Sequence, residues 1–248
     1  MSWMTDSSGR MAPSLRGGSN SLLRFAFLNA LLVIGSLLPG CQPAAEKPTT
    51  NSSRATAPTQ AARHLSRRPA THPSERAAEL SPIVVIHTSC GDIKVRLDRQ
   101  RAPQTVANFL EYVDQGHYNG TIFHQVARDQ LVLGGGFTSQ LNEKPTPRRP
   151  ITNEAANGLS NRRGTIAMAR RREAPNSATC QFYINLVDNP QLDHRDDSVD
   201  GFGYCVFGEV LSGLEVVEQI ARAEVTDTAA FDLLPVHTVL IKAVKRVR

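Results

Sequence analysis

The sequence has little that marks a metal enzyme, a serine hydrolase or a nucleotide-binding protein. Neither HExxH nor CxxC spacing occurs, which removes the common zinc signatures, and no Gly-x-Ser-x-Gly marks a nucleophilic serine. The glycines of Gly134-Gly135-Gly136 are not followed by Gly-Lys-Ser/Thr, so they indicate a turn of a barrel and not a phosphate loop. We therefore expect no metal and no cofactor.

A basic surplus is also missing from the larger part of the chain. The formal net charge is +5, but residues 1–80 hold nine Lys/Arg and only four Asp/Glu. Residues 81–248 are left with 19 residues of each sign. Because a nucleic-acid-binding domain carries a basic footprint, the sequence predicts no nucleic-acid partner.

Long apolar runs are scarce, and the one that stands out follows Arg24. The run FAFLNALLVIGSLLPGC has the length of a signal-peptide core and is short for a membrane-spanning helix. It ends in Leu38-Pro39-Gly40-Cys41, which resembles a bacterial lipobox, whose cysteine is acylated after cleavage. We expect a signal peptide over 1–40 and lipidation at Cys41. An ordinary cleaved signal peptide or an uncleaved anchor remains the alternative, and translation starts at Met1 or Met11.

Residues 42–80 have almost no large apolar side chains and are rich in Pro, Ala, Ser, Thr and Arg. Such a segment cannot bury enough surface to offset the entropy lost on ordering. The sequence predicts a disordered linker over 41–80, with the lipid at its first residue. An extended linker would span roughly 100 Å at about 3.3 Å per residue.

Only three cysteines, Cys90, Cys180 and Cys205, remain after Cys41. The number is odd, and Cys180 and Cys205 lie in apolar, strand-like runs, so buried free thiols are expected. An exported location would also permit a disulfide.

The chain from residue 81 onward alternates short apolar runs with glycine and asparagine. IVVIHT and IKVRL, joined by Cys90-Gly91-Asp92, predict a hairpin, and Pro103 begins an amphipathic helix that Gly116 ends. A second helix, GLEVVEQIA, is predicted with Ser212 as its cap. Further strands are predicted in the runs TIFHQVA, QLVLGGGF, GTIAMA, QFYINLV, YCVFGEV and TVLIKAVKRV. Many short strands with two helices favour an all-β closed barrel whose ends are covered by the helices.

Four segments carry a resemblance to a known family. They are TVANFLEYVDQGHYNGTIFH (105–124), NEAANGLSNRRGTIAMAR (153–170), NSATCQFYINLVDN (176–189) and GYCVFGEVLSGLEVVEQI (203–220). Together they resemble the cyclophilin family of peptidyl-prolyl cis-trans isomerases, especially its bacterial members. The resemblance implies a cyclophilin-like domain over 81–248, built as an eight-stranded antiparallel barrel with two capping helices.

The activity that this resemblance implies is rotation about an Xaa-Pro peptide bond. The barrier is about 18–20 kcal/mol, because rotation breaks the amide resonance. Family enzymes bind an extended peptide, place the proline ring in an apolar pocket and present an arginine to the prolyl amide. A fixed donor of that kind stabilises the transition state.

Carried over position by position, the resemblance places Gln125 where the family has its catalytic arginine. The proline-pocket phenylalanine corresponds to Gln130, the methionine to Leu131 and the substrate-binding glutamine to Leu133. Further substrate-binding positions correspond to Ala169, Arg170, Gln181, Tyr183, Leu192 and Tyr204. Because Gln125 carries no charge and Gln130 is polar, we expect weakened isomerase activity. Arg128 could supply the missing charge from a shifted backbone, and this alternative stays open.

Five arginines flank the predicted strand TIAMA. They are Arg162, Arg163, Arg170, Arg171 and Arg172. They fit either a solvated turn or a basic rim that selects acidic peptides.

The predicted function is isomerisation of proline-containing segments of exported proteins during folding. The protein is expected to be a monomer in the cell envelope, lipid-anchored to a membrane and facing the periplasm or the exterior. The alternative is a non-catalytic module that binds proline peptides or acts as a scaffold on the same fold.

Overall fold

The computed structural model describes residues 79–247. The predicted signal peptide over 1–40, the lipidation at Cys41 and nearly all of the linker lie outside these residues. Within 79–247, no helix is both long and apolar enough to cross a membrane.

Ten strands and two α-helices lie wholly within the described residues. The strands are β1 (Ile83–Thr88), β2 (Asp92–Leu97), β3 (Thr121–Ala127), β4 (Leu131–Thr138), β5 (Thr165–Met168), β6 (Phe182–Asn185), β7 (Val206–Ser212), β8 (Val225–Thr226), β9 (Leu234–Pro235) and β10 (Val239–Arg246). The helices are α1 (Pro103–Asp114) and α2 (Leu214–Ala221), and short 3-10 turns cover Ala155–Asn157 and Pro190–Leu192.

Eight strands close into one barrel in the order β1-β10-β3-β4-β6-β5-β7-β2. Every neighbouring pair is antiparallel, and the first and last barrel strands of the chain, β1 and β10, pair with each other. The predicted fold class, a closed eight-stranded antiparallel barrel with two helices, is confirmed. Closure leaves no unpaired strand edge in the barrel.

Alternate residues of the strands fill the barrel with a single apolar core. Phe123, Phe182 and Phe207 are among its fully buried side chains, and both helices add residues such as Phe109 and Ile220. The rings of Phe109 and Phe182 meet edge to face at 5.6 Å. Edge-to-face aromatic pairs add stability beyond the area that they bury.

Helix α1 begins where the sequence predicts it, with proline in its first turn. Ala102, the residue before the helix, gives no side-chain cap. The free N–H groups of the first turn are instead satisfied by Glu154, which accepts hydrogen bonds from the amides of Gln104 (3.1 Å) and Thr105 (2.8 Å) and from the Thr105 hydroxyl (2.7 Å). A carboxylate there also favours the helix dipole.

The predicted cap of the second helix is wrong. Ser212 ends strand β7, and Gly213 occupies the cap position with φ 90° and no side-chain hydrogen bond. A Cβ at Gly213 would overlap the carbonyl oxygen of Asp92. The close approach of strand β2 therefore requires glycine here, and this requirement is invisible in the local sequence.

The sequence did not predict the two-stranded sheet of β8 and β9. The loop between them carries Phe231 over strand β3, and the amide of Val126 donates to the Leu233 carbonyl at 3.0 Å. Two-residue strands are too short to show a period, which explains why they were missed.

The three cysteines of the described region are free thiols. Cys180 and Cys205 are buried as expected, while Cys90 is half-buried. Burial raises the pKa of Cys180 to about 11 and that of Cys205 to about 12. Both thiols therefore stay protonated and unreactive at neutral pH.

We expect Gly213→Ala to lower the free energy of unfolding by about 2–4 kcal/mol, because alanine is strained at this φ and collides with strand β2. Ser212→Ala should change it by less than about 0.5 kcal/mol, since this hydroxyl does not cap the helix. Urea denaturation of both variants measures the difference. A larger loss for Ser212→Ala than for Gly213→Ala would contradict the observed cap.

Candidate active site

The candidate site begins as a row of side chains across five neighbouring strands. Gln125 of β3 pairs with Leu133 of β4, and Leu133 pairs with Tyr183 of β6. Tyr183 pairs with Ala167 of β5, which pairs with Val206 of β7. Four of these residues, all but Gln125, belong to a second apolar cluster, separate from the barrel core. The strand register thus assembles an apolar surface outside the barrel.

An open pocket of about 350 Å³, counting its space open to solvent, lies on this surface. Its lining contains seven of the ten residues that the resemblance places in the site. They are Gln125, Leu131, Leu133, Ala169, Tyr183, Leu192 and Tyr204. The wall is thus apolar and aromatic, which suits a proline ring.

A β-bulge in strand β3 directs Gln125 into the pocket. Phe123 pairs with Gly134 and Gln125 pairs with Leu133, so His124 is an extra residue on β3. Phe123 and Val126 lie in the barrel core, whereas Gln125 between them lines the pocket. The extra residue therefore reverses the inward–outward alternation of side chains along β3 after Phe123.

Gln125 is half-buried and supplies the only carboxamide among the described residues that line the pocket. The same lining includes no lysine or arginine within residues 79–247. The pocket therefore contains a neutral donor where the family resemblance implies a cation.

The Tyr183 ring is fixed by polar groups behind it. Its hydroxyl donates to Asn161 Oδ1 at 2.7 Å, and Asn161 Nδ2 donates to Asp193 at 2.9 Å. Asn185 Nδ2 also donates to Asn161 Oδ1 at 3.2 Å. Burial raises the pKa of Tyr183 well above its ordinary value, so the hydroxyl stays protonated and remains a donor.

Sequence reasoning missed Asn161 and Asp193. Asn161 lies 22 residues before Tyr183 and 32 before Asp193, so no local pattern links the three. The network joins the Tyr183 ring to the segment that carries Leu192, so it holds two pocket walls together.

Three residues assigned to the site lie outside the pocket lining. Gln130 is in the β3–β4 turn, where its carbonyl accepts from the backbone amide of Leu186 (2.8 Å) and from the side-chain Nδ2 of Asn189 (3.0 Å). Gln181 packs against Gly136, where a Cβ would come within 2.6 Å of its side chain. Arg170 is buried, and its guanidinium donates to backbone carbonyls.

Arg128 does not supply the missing charge in this structure. Its guanidinium reaches toward the carbonyls of Ala221 and Arg222 at the end of helix α2, with both contacts at 3.4 Å. A cation suits that helix end, and Arg128 is not part of the pocket lining.

Three of the five arginines that flank β5 lie within 4.0 Å of a carboxylate. Arg163 pairs with Glu218, Arg172 with Asp200 at 3.2 Å, and Arg171 lies 4.0 Å from Glu173. These local pairs favour the solvated-turn interpretation over a rim that selects acidic peptides.

Comparison with known proteins identifies the family. The model of the cyclophilin type peptidyl-prolyl cis-trans isomerase family matches residues 83–246. The chain belongs to this family. It is therefore a cyclophilin, a member of an enzyme family, and the match covers the whole barrel.

Bacterial relatives support the assignment over nearly their full length. Peptidyl-prolyl cis-trans isomerase B of Escherichia coli is 46% identical over 162 residues, which are 65% of this chain and 98% of the relative. Peptidyl-prolyl cis-trans isomerase A of Dickeya dadantii is 45% identical over 172 residues, or 69% of this chain and 88% of the relative.

Solved structures share the fold. A cyclophilin type isomerase of Cryptosporidium parvum aligns with a TM-score of 0.56 at 24% identity, covering 68% of this chain and 98% of that one. A second structure of that enzyme, solved in the presence of the dipeptide Ala-Pro, aligns with a TM-score of 0.53 at 26% identity, covering 65% and 96%.

His124, the extra residue of the bulge, is expected to make the cyclophilin barrel sensitive to acid. It is buried between Phe137 and Phe231, with ring centroids at 4.7 and 6.0 Å, and its Nδ1 has no partner among the described residues. Burial lowers its pKa to about 4, whereas an unfolded histidine titrates near 6.5. The folded state therefore favours the neutral imidazole of His124.

The stability that depends on neutral His124 should be fully present above about pH 6.5 and should be lost as the pH falls toward 4. At pH 5 the loss attributable to His124 should be about 2 kcal/mol, because the unfolded state binds the proton more readily. Denaturation at pH 7 and pH 5 measures it. His124→Phe, the matched control, should lose about 2 kcal/mol less than the wild type over this interval. Equal losses in both proteins would contradict the assignment.

Proposed function

We propose that this cyclophilin binds Xaa-Pro segments in the pocket beside Gln125 and isomerises them slowly. The observation that carries the proposal is the combination of an apolar, aromatic wall with a neutral carboxamide in the same pocket. The wall supplies binding for the proline ring, and Gln125 supplies a hydrogen-bond donor without a charge.

The missing charge sets the expected loss of rate. A preorganised donor in a site of this kind commonly accounts for ~10²–10³ in rate. A glutamine amide still donates, but it interacts less with the prolyl amide as resonance is lost, and it is shorter than arginine. Arg128 and Arg170 are both engaged with backbone carbonyls, so the described structure holds neither in the pocket.

The same combination supports a second candidate function, a non-catalytic module that binds proline peptides. The apolar wall and the fixed Tyr183 ring are present whether or not rotation is accelerated. The two functions differ only in turnover, so measuring binding and rate on one peptide separates them.

We expect Gln125→Arg to raise kcat/KM on an Ala-Pro peptide by ~10²–10³ in a protease-coupled assay. Gln125→Lys, which restores charge without the planar fork, should recover only part of this gain. Gln125→Leu, which removes the donor, should abolish residual turnover but retain peptide binding. The Escherichia coli relative serves as the reference enzyme.

A wild-type rate equal to that of the reference, with no gain in Gln125→Arg, would contradict the weakened activity. Peptide binding without turnover in the wild type would select the non-catalytic module.

We propose further that the protein is exported and lipid-anchored through Cys41, and that it acts on exported proteins at the membrane surface. The support is the apolar run after Arg24 that ends in Leu38-Pro39-Gly40-Cys41, followed by a polar segment. Multiple acyl chains on one cysteine would anchor it stably, since each buried CH₂ contributes about 0.8 kcal/mol. A linker of this length would let the barrel reach clients some distance from the membrane.

Replacing Cys41 with serine should move the protein from the membrane fraction to the soluble fraction and abolish incorporation of labelled palmitate. Cys90→Ser is the matched control, because Cys90 is a half-buried thiol of the barrel. This variant should leave both readouts unchanged. Membrane association that persists in Cys41→Ser would contradict the lipid anchor.

A further inference from the structure

Arg170 occupies an unusual position for a residue assigned to the peptide site. It is 6% exposed, and four of its hydrogen bonds end on backbone carbonyl oxygens. Nε donates to Gly203 (2.8 Å), Nη1 to Arg171 (3.0 Å) and Arg172 (2.7 Å), and Nη2 to Val199 (3.2 Å). Four of the five N–H donors of the guanidinium are thus engaged inside the protein.

These acceptors belong to two separate loops. Arg171 and Arg172 lie in the loop that follows β5, whereas Val199 and Gly203 belong to the loop that leads into β7. Both loops border the pocket, because Ala169 begins the first and Tyr204 lies near the end of the second. Arg170 therefore ties together the two segments that form one side of the pocket.

Arg170 also holds a pocket side chain directly. Its guanidinium carbon lies 4.6 Å from the centre of the Tyr204 ring, and that ring meets Tyr183 edge to face at 6.0 Å. Tyr204 and Tyr183 both line the pocket, whereas Arg170 does not. A desolvated guanidinium over an aromatic face is a strong contact, so it restricts the ring.

We propose that Arg170 is a positioning residue, which sets the proline pocket by holding Tyr204 and the two loops and does not touch the peptide. The proposal rests on the proposed function, since it assigns how the wall of that same pocket is formed. A wall formed before the peptide arrives spares the cost of ordering it on binding. Arg170 should therefore affect peptide affinity more than the rate of rotation.

The main test measures KM, kcat and peptide Kd for Arg170→Gln with an Ala-Pro peptide. We expect KM and Kd to rise ~10-fold while kcat stays within ~2-fold. Arg170→Lys, which keeps the charge but loses the fork, should show an intermediate rise. Arg171→Gln is the matched control, because its side chain is exposed and 4.0 Å from Glu173, and it should leave all three values unchanged. A fall in kcat with unchanged KM would overturn the proposal.

A double-mutant cycle with Tyr204→Ala separates positioning from direct contact. If Arg170 acts in part through Tyr204, the pair Arg170→Gln/Tyr204→Ala should bind the peptide more tightly than the product of the two single effects predicts. If Arg170 touches the peptide, the two effects should multiply, and that result would overturn the proposal. Near-ultraviolet circular dichroism checks that each variant is folded, and Arg170→Lys replaces Arg170→Gln in the cycle if the latter does not fold.

A third readout does not depend on peptide binding. Burial raises the pKa of Tyr204, and the charges of Arg170 and Arg172 act against that rise. Removing the Arg170 charge should therefore raise the pKa of Tyr204 further, whereas Arg171→Gln should not. Nuclear magnetic resonance of labelled tyrosines, assigned with Tyr204→Phe, measures it.

An unchanged Tyr204 titration in Arg170→Gln would overturn the contact itself. Failure of the wild type to bind any Ala-Pro peptide would instead overturn the proposed function, and the inference with it. The two failures are therefore distinguishable.

Discussion

The single extra residue in strand β3 is the constraint on which the candidate site depends. In a regular strand, residues two apart point to the same side, so Phe123 and Gln125 would both face the core or both face outward. The bulge at His124 lets Phe123 fill the barrel while Gln125 lines the pocket. The cost is a buried imidazole whose Nδ1 has no partner within residues 79–247, enclosed by Phe137 and by Phe231 of the β8–β9 loop. Core, pocket and covering loop are therefore linked through one backbone irregularity.

The apolar wall and the polar side chain of this pocket rest on different parts of the barrel. The apolar wall arises from alternate positions of adjacent strands, so the register of the barrel maintains it. The polar contribution depends on one side chain, Gln125. Membership of an isomerase family follows from the whole barrel, whereas the proposed loss of rate rests on that single position. A fold can thus keep its ligand chemistry while its turnover changes.

Most of the fold could be predicted from the sequence, because its strands and helices show their own periods. Strand β3 and the start of helix α1 lie where the residue pattern places them. The short strands β8 and β9 and the glycine cap of α2 were missed, because the first are too short to show a period and the second depends on the approach of Asp92 from another strand.

The candidate site was predictable in membership but not in contacts. Alignment to a motif predicts which residues belong to a site, and it assigned Leu133 and Tyr183 correctly to one pocket. It cannot tell which way a long side chain turns, so Arg170 was assigned to the peptide although its guanidinium binds loop carbonyls. The Asn161–Asp193 hydrogen bond could not be predicted from the sequence either, because it forms only when two distant loops meet.

The carboxylate that secures helix α1 has a consequence for the order in which the molecule can form. Glu154 lies 49 residues beyond Thr105, and strand β1 must wait for β10 at the far end of the domain before the barrel closes. During synthesis from the N-terminus, the helix start therefore stays frayed until the chain has passed residue 154, and closure waits for residues 239–246. The barrel therefore stays open until its last strand is made.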